Sequence, residues 1–381
     1  MNRNQLMLTA ALGIALSCAS YADTSWLIRS TASTSGRMQL FATRCGKPRP
    51  LLVGVDKPKS AKQFKSLRFG DRKNKFVFSG INERGVAVAF TSAGPTPDKP
   101  VKPGKGQRLW TGTYAVDQVL RNAKSAADGA AILRKAASKG LVAHSMIVLI
   151  TDPKKAYIFE AAARHQANRD LGLSYAIYTH MWKYPGMEDA SSRNPKDYYT
   201  CIQREWVARE GIRKARQGDR KVSILEAIAV SRLNTADIKR EDITSAPSLS
   251  TSIDGYIFEV DAKYPGVLSC VYAALGPQRH TVYLPIPLGA IDELPQELIE
   301  NNWSAAGEAA KQKTDPKTPV ADELVELERC LMQEFNDKRY LAQKLLDEKK
   351  PAEAKKLLRD TLRRQLKETM GFMSKSGSPG N

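Results

Sequence analysis

Asp23-Thr24-Ser25-Trp26-Leu27-Ile28, with Thr34-Ser35-Gly36-Arg37 and Met38-Gln39-Leu40-Phe41 behind it, is the stretch that decides how this 381-residue chain is read. Two short apolar runs flank Ser35-Gly36, a pair suited to a tight turn, so the segment predicts an antiparallel hairpin. What precedes it sets where that hairpin begins. Met1 to Ala22 carries one basic residue, Arg3, an apolar run from Leu6 to Leu16, and Ser20-Tyr21-Ala22, whose small residues suit a cleavable bond. Residues 1–22 therefore read as a signal peptide, too short to span a bilayer. Asp23 becomes the expected mature N-terminus of a secreted or periplasmic protein. In a rival reading Ala15-Leu16-Ser17-Cys18 is a lipobox and Cys18 the lipidated end, although its lead position lacks the usual Leu.

Composition bounds the partners. Lys and Arg number 59 against 40 Asp and Glu, and removing Arg3 with the leader leaves 58 − 40 = +18. Such a surface suits an anionic envelope or a polyanion. The positive stretches, Lys57 to Lys75 and Lys99 to Arg108, are broken by Pro and Gly and lack interleaved aromatics, which argues against nucleic acid. No later stretch is apolar and long enough for a transmembrane segment. Four cysteines remain after the leader, Cys45, Cys201, Cys270 and Cys330. They allow three pairings and match no zinc spacing. Cys270, in Val267-Leu268-Ser269-Cys270-Val271-Tyr272, reads as a buried thiol. His144, His165, His180 and His280 are scattered, so no metal is expected.

From Asp23 to residue 290 hairpins dominate. Phe76-Val77-Phe78 and Val86 to Phe90 flank Gly80-Ile81-Asn82-Glu83-Arg84-Gly85, and Met146 to Ala161 turns at Asp152-Pro153. Tyr175 to Tyr178, Tyr256 to Val260, Val267 to Ala274 and Thr281 to Leu284 read as further strands. Tyr114 to Ala137 reads as two helices broken at Asp128-Gly129, and residues 202–216 and 222–233 as two more. Strands and helices segregated in this way argue for an α+β fold with mainly antiparallel sheets. Residues 291–319 read as a linker, because Ala305 to Pro319 is small, polar and Lys-rich. Residues 320–370 read as two amphipathic helices broken at Lys350-Pro351, and 371–381 as a disordered tail. The stripe Leu324, Leu327, Leu331, Phe335, continued by Leu341, Leu345 and Leu346, would pack on its own core or serve a homodimer.

The order of these segments resembles the penicillin-acyltransferase and dipeptidase-like branch of the N-terminal-nucleophile hydrolases. The resemblance rests on the start at Asp23-Thr24-Ser25-Trp26, on Gly80-Ile81-Asn82-Glu83-Arg84-Gly85, and on Asp152-Pro153 through Phe159-Glu160. It extends to Phe258-Glu259-Val260-Asp261 and Tyr283-Leu284-Pro285-Ile286-Pro287. It implies a four-layer αββα sandwich over residues 23–290, with the C-terminal helices as an extension. It also implies acyl transfer or hydrolysis at linear amide C–N bonds, with no cofactor. In that family an N-terminal Cys attacks the carbonyl while its own amine acts as base. An Arg and an Asp on the second strand steady it, and an Asn on a later strand helps hold the oxyanion.

Carried over residue by residue, most of that set is missing. The nucleophile position holds Asp23, a poor attacker of an amide. Ala42 stands at the basic position and Cys45 at the Asp position, with Arg44 as the one surviving match, while His180 in Tyr178-Thr179-His180 takes the place of the oxyanion Asn. Two expectations follow. One is a catalytically degenerate scaffold that binds a small amide- or peptide-like ligand. The other is an active amidohydrolase or acyltransferase using Thr24, exposed by trimming, or Cys45 with Arg44 lowering its pKa. Strand alternation would turn Thr24 away from the Asp23 site, and Cys45 is also read as a space-filling or disulfide-bonded thiol.

Overall fold

The computed structural model describes residues 24–45, 50–93, 96, 98–163, 165–172, 174–179, 181, 183–185, 187, 195–238, 240–247, 252–300, 303–313 and 320–377. The proposed leader, Cys18, Asp23 and His180 lie outside them. The described strands form two antiparallel sheets. The first, in the order β10-β1-β2-β11-β12-β13, comprises β1 (Ser25–Ile28), β2 (Met38–Cys45), β10 (Tyr175–Tyr178), β11 (Ser252–Val260), β12 (Cys270–Ala274) and β13 (Tyr283–Pro287). The second runs in sequence order from β3 (Leu51–Asp56) and β4 (Ser66–Asp71) through β5 (Phe76–Asn82), β6 (Ala87–Thr91), β7 (Met146–Thr151) and β8 (Ala156–Ala161) to β9 (Gln166–Asp170).

Period-two alternation makes the layers. Leu27, Leu40, Tyr256, Phe258, Val271 and Leu284 of the first sheet meet Leu67, Phe69, Ile81, Ala87, Leu149 and Ile158 of the second in one core. The alternate residues face outward. On the second sheet Val88, Val148, Ile150 and Phe159 pack under α1 (Gly112–Asn122) and α2 (Ala126–Ala137). On the first, Trp26, Phe41, Ile257, Tyr272 and Tyr283 lie under α3 (Pro195–Ala215), α4 (Ile224–Ser231) and the C-terminal helices. The α+β, four-layer sandwich expected from the sequence is the architecture the chain adopts.

The motif residues build turns. Asn82 Oδ1 accepts from Arg84 N and Val86 N at 3.0 Å each, while its Nδ2 donates to Leu120 O and Ala123 O at the end of α1. Asp152 Oδ1 caps Lys154 N and Lys155 N, and its Oδ2 accepts from Ala126 N at 2.8 Å. The helical break falls at Ala123 to Ser125 rather than at Asp128-Gly129. Ser125 caps α2 by accepting from Asp128 N, and Asp128 complements the dipole in the first turn. Gly129 sits inside the helix because a Cβ there would come within 3.1 Å of Val119 and 3.2 Å of Ile150.

The C-terminal region departs from expectation. After the short α5 (Pro265–Leu268), the stretch read as a linker carries α6 (Gln296–Glu300) and α7 (Trp303–Lys313), and a Cβ on Gly307 would come within 2.5 Å of Thr281 Oγ1. Both α8 (Asp322–Asp347) and α9 (Pro351–Gly377) pack against the first sheet, and α9 takes in residues 371–377 of the segment read as a disordered tail. Met373 explains this, being buried with Val282, Leu324 and Leu331. Phe335 and Leu346 reach the core under the same sheet, so most of the leucine stripe is spent within the chain, with Leu341 left exposed. Among the described residues no helix is long and apolar enough to cross a membrane.

Candidate functional site

The site expected from the sequence lies around the start of β1, which runs between β2 and β10. Ser25 pairs with Ala42 on one side and Tyr178 on the other, and Ala42 pairs in turn with Tyr256. The inner face thus carries the row Tyr178, Ser25, Ala42, Tyr256, about 14 Å from end to end at ordinary strand spacing.

At the β2–β11 end, Arg44 points inward. Its Nε donates to Asp254 Oδ2 at 2.6 Å, its Nη2 contacts the same oxygen, and its guanidinium lies 4.8 Å from the ring centroid of Phe78 on the opposite sheet. Tyr256 OH donates to Asp254 Oδ2 at 2.7 Å. Burial, then the adjoining Asp254 carboxylate, pushes the Tyr256 hydroxyl well above its usual pKa. Thr43 Oγ1 donates to Asp254 O at 2.6 Å, and Gln278 Nε2 to the same carbonyl at 3.0 Å. Asp254 Oδ1, fully buried, has no donor among the described residues.

At the β10 end, Tyr178 OH donates to Tyr184 OH at 2.9 Å. Glu160 of β8 accepts from Lys183 N at 3.0 Å and Tyr184 N at 3.3 Å, which ties the segment after β10 to the second sheet. Lys183 Nζ bonds Ile177 O at 2.7 Å, pairs with Glu205 of α3, and lies 4.7 Å over the Tyr178 ring. Burial draws the Lys183 ammonium below its usual pKa against the pull of Glu205, and burial raises Tyr178 and Tyr184. The role of Lys183, Tyr184 and Asp254 was not legible in the sequence. Glu160 belongs to a quoted motif, but nothing nearby in the chain names its partners.

The two alternative nucleophiles lie on the other face. Thr24 points outward with Trp26, which stacks on Phe41 at 3.6 Å, and Thr24 Oγ1 accepts from Nη1 of the fully buried Arg204 at 3.3 Å. Cys45 Sγ lies 3.7 Å from Ser252 Oγ. Strand alternation sends Arg44 inward and Cys45 outward, so the two side chains leave β2 on opposite faces of the sheet. No disulfide joins Cys45, Cys201, Cys270 and Cys330 to one another. His280 lies on the loop before β13, remote from β1 in the sheet order. Among the described residues no three His, Cys, Asp or Glu side chains gather as a metal site requires.

No protein-family model matches the chain, and no curated protein does. Among solved structures it is similar to a Caenorhabditis elegans ortholog of N-acylethanolamine-hydrolyzing acid amidase, with TM-score 0.41 and 9% identity over 64% of this chain and 93% of that one. It is also similar to penicillin V acylase from Agrobacterium tumefaciens, with TM-score 0.37 and 12% identity over 66% of this chain and 85% of that one. A variant of conjugated bile acid hydrolase from Clostridium perfringens gives TM-score 0.41 and 10% identity over 66% and 89%. The strand order and the four layers, rather than these values, define the class of this protein as an αββα sandwich of two antiparallel sheets.

Proposed function

We propose that this is an exported scaffold of the N-terminal-nucleophile type that holds an amide- or peptide-like ligand without cleaving it. The observation that carries the reading is the division of side chains at the start of β1. The inner face offers Ala42, the Arg44–Asp254 pair and the hydroxyls of Tyr178 and Tyr256, while Thr24 and Cys45 face the helices outside. An attacking hydroxyl or thiol needs a base within hydrogen-bond reach. Thr24 instead receives a proton donor, Arg204, which has no basic lone pair to offer. What the inner face does supply is recognition chemistry, because Asp254 Oδ1 is an acceptor with room for one more donor and suits an amide N–H.

The test combines processing and turnover. N-terminal sequencing of protein recovered outside the cytoplasm should begin at Asp23. Calorimetric titration with N-acyl amino acids and dipeptides should give saturable binding with no release of free amine. Amine release that disappears in Cys45→Ser or Thr24→Val would overturn the reading in favour of an active amidohydrolase.

A further inference from the structure

On the outer face of the first sheet lies a cavity of about 480 Å³, separate from the inner-face residues around β1. The β1–β2 turn, the start of α4 and one side of α8 wall it, and Glu259 and Tyr272 line it from the sheet. It is far larger than the ~30 Å³ share of one water molecule.

Arg339 of α8 lines it and is 3% exposed. Its Nη1 bonds Glu259 Oε2, while Nε and Nη2 have no acceptor among the described residues. Those two nitrogens share one edge of the planar guanidinium, the edge that grips both oxygens of a carboxylate in parallel. Buried donors left without a partner are rare in folded proteins and call for an explanation. Glu259 meets Arg339 through Nη1 alone and spends its other accepted bonds elsewhere. Its Oε1 accepts from Ser35 Oγ at 2.5 Å, and its Oε2 accepts from Tyr272 OH at 3.3 Å as well as from Arg339. Burial opposes its charge, but Arg339 and Arg37 together hold the Glu259 carboxyl below its usual pKa, so the pair is ionised.

We propose that this cavity binds a small organic carboxylate, whose two oxygens take Nε and Nη2 of Arg339 while Asn336, Gln343 and Ser223 meet its other polar groups. Charge favours a monoanion over phosphate. Of the other guanidiniums in the wall, Arg37 is engaged by Asp261 and Arg329 by Glu326, and ionised Glu259 stands beside Arg339. A single negative charge is matched by the open edge, whereas a dianion would meet Glu259 with too little compensation. Ile224 and Met332 in the wall suit a short carbon chain rather than a bare ion.

The full mature chain should be titrated calorimetrically with acetate and butyrate, with acetamide and inorganic phosphate in parallel. Because Arg339→Met strands the buried Glu259 and can cost the fold, two other variants carry the test. Arg339→Lys keeps the charge and removes the fork, and Asn336→Trp fills the cavity from an exposed helix position. Saturable carboxylate binding, weakened by roughly tenfold or more in both variants, is the expected result. Absence of carboxylate binding, binding equal to that of acetamide, a preference for phosphate, or binding untouched by Asn336→Trp would each overturn the proposal.

Discussion

Arg44 and Asp254, 210 residues apart in the chain, form a buried ion pair with Nε 2.6 Å from Oδ2. The pair sits on the inner face two residues along from Ala42 and Tyr256, where Arg44 also covers the ring of Phe78 from the facing sheet. A charge in this position is held by its partner rather than by water.

Removing one partner should therefore cost more than removing both. Asp254→Ala leaves a buried guanidinium and should lower unfolding free energy by about 3–5 kcal/mol. Replacing the pair together, Arg44→Met with Asp254→Leu, should cost less than either single change. Urea denaturation of the three variants checks this, and additive losses would contradict it.

A second pair makes the C-terminal helices part of the fold. Arg232 Nη1 and Nη2 meet Glu328 Oε2 and Oε1 at 2.5 and 2.7 Å, and Tyr283 N also donates to Glu328 Oε1. Glu328→Ala should destabilise the whole protein by about 3–5 kcal/mol, and a chain ending before Val320 should fail to fold in soluble form. A truncated chain that unfolds cooperatively at the full-length midpoint would contradict this.

His280 should make the protein acid-sensitive. Burial, then Arg279, Lys311 and Arg232, lower its pKa from the ordinary 6.5 to about 4. Between those values the unfolded chain takes up a proton that the folded chain refuses. Stability should fall as pH drops from 6.5 towards 4. His280→Gln should flatten that part of the pH profile in chemical denaturation. An unchanged slope would assign the loss to other groups.

The fold was legible where burial imposes a strict pattern. The β1–β2 hairpin shows in alternating apolar residues around Gly36, whose φ of 66° suits glycine, and the β5–β6 and β7–β8 hairpins show for the same reason. Strands β3, β4 and β9 escaped notice. In β9, Gln166–Asp170 is polar because it is an edge strand with no fully buried position. In β4, Arg68 reads as surface charge but is buried between Asp117 and Asp56. The polar clusters around β1 were illegible for a related reason. Asp254 pairs with Arg44, and Glu160 with the backbone of Lys183, across distances that no local spacing reports.

Thiol chemistry separates the faces. Cys330 is exposed on α8, whereas Cys270 is buried and burial pushes its pKa up. Maleimide should modify Cys330 first in the native protein, and Cys330→Ser should remove that fast phase. Fast labelling that persists and maps to Cys45 would point to a reactive thiol beside β1.

The proposed function requires that neither Thr24 nor Cys45 attack an amide. Intact mass and N-terminal sequence of the exported protein after incubation with a β-lactam electrophile test it most directly. An Asp23 terminus and unchanged mass are expected; a covalent acyl adduct on Thr24 or Cys45 would contradict the proposed function.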